Sequence, residues 1–415
     1  MYLFNILYLI SIILLAPLYL KKLLNKKYRN IIKKRLFPDI KFSEKKRIWI
    51  HAVSVGEVKG LERFIGELKK KTDQNIVLSV TTLTGFDIAK KIFPDIDVIN
   101  SPLDFSFAVK KFTKLINPKI LILNELEIWP NWIMILKRRK IPIFLINGRI
   151  SDKAFVRYKK FLFLLKPFFR KLSKVMIQGD WYKDRFTMMG VPVKNIISCG
   201  NIKADEAIAA AKVLPSSEKL RKDFKLGDKG KILVFASTHI DDENFFLPVL
   251  NELLKTFFII IAPRHTKRSE SLKKRISDHG VNSFLYSQTG KDIPNDGIMI
   301  FDEMGYLMKL MKLSDIVFMG GGFDRSVGGH NLYEPAILSK PIIGGPHFSN
   351  FPDIGSALVK AGVFRVLKSQ EELLRISYEL SLLRNYELIA DEKNAVFSRS
   401  GAIECIIGQI EEFIN

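Results

Sequence analysis

Cysteine is scarce in this chain: Cys199 and Cys405 are the only two, far apart and not in a CxxC pair. Neither a disulfide framework nor a zinc site is expected from them, and such usage fits a reducing compartment. The six histidines (His51, His239, His265, His279, His330 and His347) show no HxxxH or HExxH spacing, so the sequence offers no metal cluster. Acid is also short. Asp and Glu number 43 against 66 Lys and Arg, a net charge of +23. That balance points to an anionic partner: nucleic acid, an anionic membrane surface or a phosphorylated substrate. No repeat or low-complexity stretch appears. A GxGxxG turn is missing after the first strand of either half, where Val55-Gly56-Glu57 and Ser237-Thr238-His239 stand instead, which argues against a dinucleotide oxidoreductase.

What is present describes a globular chain of 415 residues, 47% hydrophobic and 26% charged, long enough for two domains with full cores. Residues 2–20 are nearly all apolar, broken by Asn5, Ser11 and Pro17, and close to the length of a bilayer span. Lys21, Lys22, Lys26, Lys27, Arg29, Lys33, Lys34 and Arg35 follow at once. They are expected to hold that side in the cytoplasm and to favour anionic headgroups. With no positive charge before the apolar run and no small-residue cleavage site after it, an uncleaved anchor is expected, a helix lying in the interface being the competing reading. The expected segments are an anchor over 1–21, a basic juxtamembrane segment over 22–46, α/β domains over 47–210 and 211–385, and a helical segment over 386–415. From Arg47 onward strands alternate with helices, the signature of parallel sheets with helical crossovers. The basic aromatic helix over 156–173 reads equally as a membrane-facing or an ordinary amphipathic helix.

Every candidate site lies at the C-terminal end of an expected strand, where ligands bind in open α/β sheets. The apolar run at 316–319 is followed by Gly320, Gly321 and Gly322, then by Gly328 and Gly329, then by a helix-like segment from Asn331. Strand, glycine loop and helix start together suit a nucleotide or sugar-nucleotide, with Glu334 one turn in to meet ribose hydroxyls, the competing reading being a glycine-rich turn with a buried acid. In VSVGEV, Glu57 at a helix start is expected to be ionised and able to accept a proton, or else to serve only the helix dipole. NELEIWPN sets Glu125 and Glu127 on one face if the chain is still extended, an expense typical of functional sites, though one of them can simply bond to Arg149. Asp95-Ile-Asp97 resembles a metal-binding DxD but reads as incidental. Lys203 can counter negative charge or merely face solvent. Arg264 can grip phosphate, Ser237 and Thr238 offer hydroxyls to it, and Gly305, Tyr306 and Leu307 offer backbone groups to a nucleobase.

Taken together, HAVSVGE, NELEIWPN, INGRIS, CGNIK, STH, APRH, GGGF, GGHNLYEPA and GPHFSNF resemble the motif series of bacterial 3-deoxy-D-manno-octulosonic acid (Kdo) transferases, in order and spacing over nearly the whole chain. The resemblance implies a GT-B fold, two Rossmann-like domains facing a deep cleft, an N-terminal membrane-anchor helix, and transfer of Kdo from CMP-Kdo to the lipid A precursor (lipid IVA). The first domain would take the acceptor and the second CMP-Kdo, at the cytoplasmic face of the inner membrane, with inversion and no metal or other cofactor. It implies Glu57 as general base and Glu125 and Lys203 as transition-state stabilisers. Arg264, His265, Gly305, Tyr306, Leu307, Asn331 and Glu334 match its CMP-binding positions, with Leu332 and Tyr333 in the same stretch. Asn124, Leu126 and Gly148 depart from the common pattern, which leaves the ranking of Glu125 and Glu127 open. Anionic lipids are expected partners and nucleic acid is not. The competing readings are a UDP-sugar-dependent GT-B enzyme acting on a lipid and a membrane-anchored nucleic-acid-binding module.

Overall fold

In the computed structural model the described residues are 4–6, 8–10, 12–14, 26–40, 42, 45–289, 293–294, 296–383 and 400–414. The chain divides into two compact units, Met1–Asp205 with Arg399–Asn415, and Glu206–Ser398. The division falls within the helix Ile202–Lys212, and the end of the chain returns to the first unit.

Unit 1 is built on seven strands: β1 (Arg47–Ala52), β2 (Asn75–Val80), β3 (Asp97–Asn100), β4 (Pro118–Asn124), β5 (Ile143–Gly148), β6 (Lys174–Ile177) and β7 (Ile196–Ser198). All pair in parallel, in the order β3-β2-β1-β4-β5-β6-β7. Parallel strands are covered on both faces, so their sequences read as unbroken apolar runs. Alternate residues of β1 feed two cores. Ile48 and Ile50 join Phe64, Ile122 and Ile406 on one side, and Trp49 joins Leu121, Trp132 and Phe169 on the other. Unit 2 repeats the plan with β8 (Lys231–Thr238), β9 (Phe257–Pro263), β10 (Ser283–Leu285), β11 (Ile298–Ile300), β12 (Ile316–Met319), β13 (Ile342–Gly344) and β14 (Phe364–Val366), ordered β10-β11-β9-β8-β12-β13-β14. In each unit the first strand is flanked by neighbours whose connections leave in opposite directions. The switch points are β1/β4 and β8/β12, and there the turns part to leave a crevice.

The anchor expected over 2–20 falls largely outside the described residues. No helix among the described residues is long and apolar enough to cross a membrane. The described helical residues near the start pack through one side and leave apolar side chains exposed on the other. Phe4 meets Phe168 edge-on, Tyr8 meets Phe105, and Asn5 bonds to Ser106 and Asn131, while Ile6, Leu9, Ile10, Ile13 and Leu14 are exposed. Of the basic cluster, Arg35 turns inward instead of toward headgroups, its guanidinium donating to Ser101 O at 2.8 Å and to the Ser101 hydroxyl at 3.3 Å. Asp95 of the DxD-like triplet is ion-paired with Lys69.

One expectation is overturned by chain tracing. Cys199, just past β7, and Cys405, in the helix Ala402–Ile414, are 206 residues apart in sequence yet form a disulfide with Cα atoms 5.5 Å apart. Spacing could not reveal it, because the return of the last helix to unit 1 is a tertiary event. That helix buries Ala402, Ile403, Ile406, Ile407, Ile410 and Ile414, and its start is held by the Asp205 carboxylate, which accepts from Gly401 N–H at 2.6 Å and Ile403 N–H at 2.8 Å. Asp205→Ala should cost about 2 kcal/mol, since two donors at a buried helix start lose a charged acceptor. A urea midpoint, together with hydrogen exchange over 402–414, measures it; an unchanged midpoint and unchanged protection would remove Asp205 from this role.

Candidate functional site

At the β1/β4 switch point of unit 1, the helix Val55–Gly60 starts directly after β1, with Ser54 as its cap. Glu57 folds back over this turn. Its Oε2 accepts from Val53 N–H at 3.0 Å, and its Oε1 accepts from the Ser54 hydroxyl at 3.2 Å. The ionised carboxylate expected from the helix start is corrected by its surroundings. Burial, then the nearby charge of Glu125, push Glu57 up to about 7, more than the Val53, Ser54 and Asn124 hydrogen bonds offset. A carboxyl balanced near neutrality suits proton acceptance at working pH.

Strand β4 ends at Asn124, and Glu125 takes a left-handed backbone with φ of 58°, so Glu125 and Glu127 do not continue along an extended strand as expected. Glu125 Oε2 accepts from Arg149 Nε at 3.2 Å. Glu127 accepts from the Trp129 indole at 2.8 Å and is pushed up to about 7, first by burial and then by the charge of Glu57. Three carboxyls therefore share one site, with Arg149 bonded to one of them. Asp104, which sequence reasoning passed over, is a further buried carboxyl of this unit. It accepts from Asn131 and Trp132 N–H at 3.2 and 3.1 Å, caps the helix Pro130–Arg138, and is raised to about 7 by burial. Lys203 is half-buried in the first turn of Ile202–Lys212, its N–H donating to Asn201 Oδ1 at 3.0 Å.

In unit 2 the glycine loop is more inward-looking than its sequence suggests. Gly320 N–H bonds to Ala236 O, Gly328 N–H to Asp324 O and Gly329 N–H to Gly321 O. Gly321 N–H goes to the carboxylate of Asp242 at 2.6 Å, which also takes His239 N–H at 2.8 Å and Phe323 N–H at 3.2 Å. A Cβ on Gly320 would lie 2.5 Å from Ser237 O and one on Gly322 2.8 Å from Gly345 N, so these glycines serve backbone packing. The Thr238 hydroxyl, expected to be available to phosphate, is buried and donates to Glu243 at 3.3 Å. Glu243 is itself buried between Arg268 and Arg275.

Around this braced loop, Arg264 and His265 are exposed at the end of β9. His239 and His330, which spacing alone did not pair, meet at the β8/β12 crevice with Nε2 atoms 2.8 Å apart and rings stacked. One ring must donate and the other accept. Burial first, then Arg264, His239 and His265, lower His330 to about 3, and burial first lowers His239 as well, so the pair is neutral beside the exposed Arg264 guanidinium. Asn331 bridges the next turn, donating to Glu334 Oε1 at 2.9 Å and accepting from Tyr333 N–H at 3.2 Å. Leu332 and Tyr333 are core residues, each 2% exposed. Gly305 adopts φ of 92° with open space where a Cβ would lie, Tyr306 meets Phe301 with tilted rings 5.4 Å apart, and Leu307 opens the helix Leu307–Leu313.

Comparison with known proteins follows this geometry. The family described as 3-Deoxy-D-manno-octulosonic-acid transferase (kdotransferase) matches residues 30–206. A bifunctional glycosyltransferase/methyltransferase of Fusobacterium nucleatum is 31% identical over 99% of this chain, which spans 63% of that protein. The 3-deoxy-D-manno-octulosonic acid transferase of Rickettsia felis is 32% identical over 84% of this chain and 75% of its own length. A solved glycosyltransferase from Rickettsia africae covers 90% of this chain and 100% of its own, with TM-score 0.58 and 14% identity, a likeness of fold.

The Asp242 carboxylate ties the β8 turn to the glycine loop through three backbone donors. Asp242→Ala should lower the stability of the protein by about 3 kcal/mol, the cost of stranding buried N–H groups. Asp242→Asn, which keeps one acceptor oxygen, should lose less. Chemical denaturation of the two variants beside the parent protein checks the order, and equal losses would contradict it.

Proposed function

This chain belongs to the Kdo transferase family and is a glycosyltransferase, and from that premise we propose that it transfers Kdo from CMP-Kdo to a hydroxyl of the lipid A precursor, with inversion and without a metal. The observation that carries the proposal is Glu57, a carboxyl at the β1/β4 switch point brought to about 7 by burial and a like charge. The acceptor hydroxyl oxygen attacks the anomeric carbon while its proton passes to Glu57. The electron pair of the breaking carbon–oxygen bond leaves on the CMP phosphate. Positive charge grows on the sugar and negative charge on the phosphate. Glu125, held by Arg149, is assigned the sugar charge, and Lys203 is assigned to stabilising the same transition state. Arg264 and His265 are assigned to the donor phosphate, Asn331 and Glu334 to the ribose side, and the backbone of 305–307 and 332–333 to the nucleotide.

The charge balance of +23 fits a bisphosphorylated acceptor in an anionic membrane. So do the basic helix Lys26–Leu36 and the exposed apolar residues Val156, Phe161 and Phe163. Attachment to the cytoplasmic face of the inner membrane through the N-terminal segment is part of the proposal.

Labelled Kdo should pass from CMP-Kdo to a lipid A precursor with the purified chain, and Glu57→Ala should give no detectable product; product mass counts the sugars added. CMP binding without transfer would point to a different acceptor, and absence of CMP binding would sink the donor assignment. EDTA should leave the rate unchanged, and loss of activity that magnesium restores would refute metal independence.

Acid limits the reaction in a defined direction. Glu57 accepts a proton only when ionised, so the rate should rise with pH through about 7 and level off above it. The charge of Glu125 adds to burial in raising Glu57, so Glu125→Gln should move the acid limb to lower pH whatever it does to the plateau rate. A limb that stays in place in this variant would show that the charge of Glu125 does not act on the base.

A further inference from the structure

Beyond the backbone pairing of the sheet, three buried amide side chains join the ends of β5, β6 and β7. Asn147, Gln178 and Asn201 are each 5% exposed. The Gln178 Nε2 donates to Asn147 O at 3.2 Å and Asn147 Oδ1 at 3.0 Å, Asn201 Nδ2 donates to Gln178 Oε1 at 3.2 Å, and Asn201 Oδ1 accepts from Lys203 N–H at 3.0 Å. The chain has one direction. With its oxygen committed to Lys203 N–H, Asn201 can only donate to Gln178, and Gln178 can then only donate to Asn147.

The backbone is bent to admit this arrangement. The β5/β6 register shifts between Leu145 and Gly148, and Asn147 takes φ of 53°, a conformation asparagine tolerates better than most residues. Apolar side chains at three adjacent strand ends would fill the same space with no polar groups to satisfy. The amides instead connect the two segments that carry assigned charges, since Arg149 two residues past Asn147 holds Glu125, and Lys203 lies two past Asn201.

We propose that Gln178 is a positioning residue for the transfer reaction: through Asn201 it fixes the backbone of Lys203 at the start of its helix and, through Asn147, the segment leading to Arg149 and Glu125. The proposal rests on the assignment of Lys203 to the transition state. Gln178 touches no substrate. Its amide sets where the Lys203 helix begins, and a lysine on a long flexible stem is useful to a transition state only if its base is fixed.

Gln178→Glu is nearly isosteric but puts an acceptor-only group against the two oxygens of Asn147; Gln178→Met keeps the volume and removes the hydrogen bonds. Both are to be measured in the full chain, with thermal unfolding to establish folding. Amide exchange at Lys203 should quicken about tenfold in Gln178→Met, the bond from Lys203 N–H to Asn201 having lost its support. In the transfer assay kcat should fall about tenfold while KM for CMP-Kdo stays within about twofold, the pattern of a lost transition-state interaction. In a Lys203→Ala background the Gln178 substitutions should add no further loss of kcat. Unchanged exchange at Lys203 overturns the positioning role, and so do losses that add fully in the double variants. If Lys203→Ala alone retains full kcat, the Lys203 assignment fails, and with it the catalytic reason for the amide chain, whereas exchange at Lys203 still reports the hydrogen bond.

Discussion

A parallel sheet sends all its strand ends to one edge, and at a switch point the outgoing turns leave opposite ways, so no crossover covers the ends between them. The candidate site residues of this chain follow from that geometry. Glu57 and Glu125 follow the two strands that part in unit 1, and His239 and the glycine loop with His330 follow the two that part in unit 2. Topology alone brings residues far apart in sequence to a common edge. The apolar strands behind them make that edge rigid enough to hold expensive groups.

The expense is visible in the carboxyls. Burial first and then the charge of Glu125 favour the protonated form of Glu57, burial first and then the charge of Glu57 favour that of Glu127, and both rest near 7. A structural acid would be stabilised more simply by an ion pair, as Glu243 is between Arg268 and Arg275. In the carboxyl cluster Arg149 bonds to Glu125 while Glu57 is held by a backbone N–H and a hydroxyl. Weak hydrogen bonds orient Glu57 without fixing its charge, which is what a group that must gain a proton requires.

Much of this was legible in the sequence, for a physical reason: strands buried on both faces write continuous apolar runs, and the residues just after them are turn residues by necessity. The runs at 47–52, 118–124, 231–238 and 316–319 therefore located both switch-point edges. Pairings made across the fold left no such trace. The disulfide of Cys199 with Cys405 and the bonds from Asp205 to Gly401 and Ile403 depend on a C-terminal helix that crosses back over unit 1. Neither spacing nor periodicity encodes that return. The ionisation of Glu57 was misjudged because a helix start is local and readable, whereas desolvation by distant chain is not. The Thr238 hydroxyl is taken for a local reason instead: Glu243, five residues on, accepts from it.

The glycine loop is braced from within: its backbone donors at Gly320, Gly321, Gly328 and Gly329 are spent inside the protein. What the glycines provide is closeness, letting the turns after β8, β12 and β13 pack backbone against backbone with Asp242 as the shared acceptor. A loop braced in this way loses little freedom when a ligand binds, and the exposed Arg264 and His265 can then contribute their interactions against a framework already in position. The rigidity of the loop and the exposure of Arg264 and His265 are complementary: the backbone is fixed by its own hydrogen bonds, and the polar side chains stand free of that bracing.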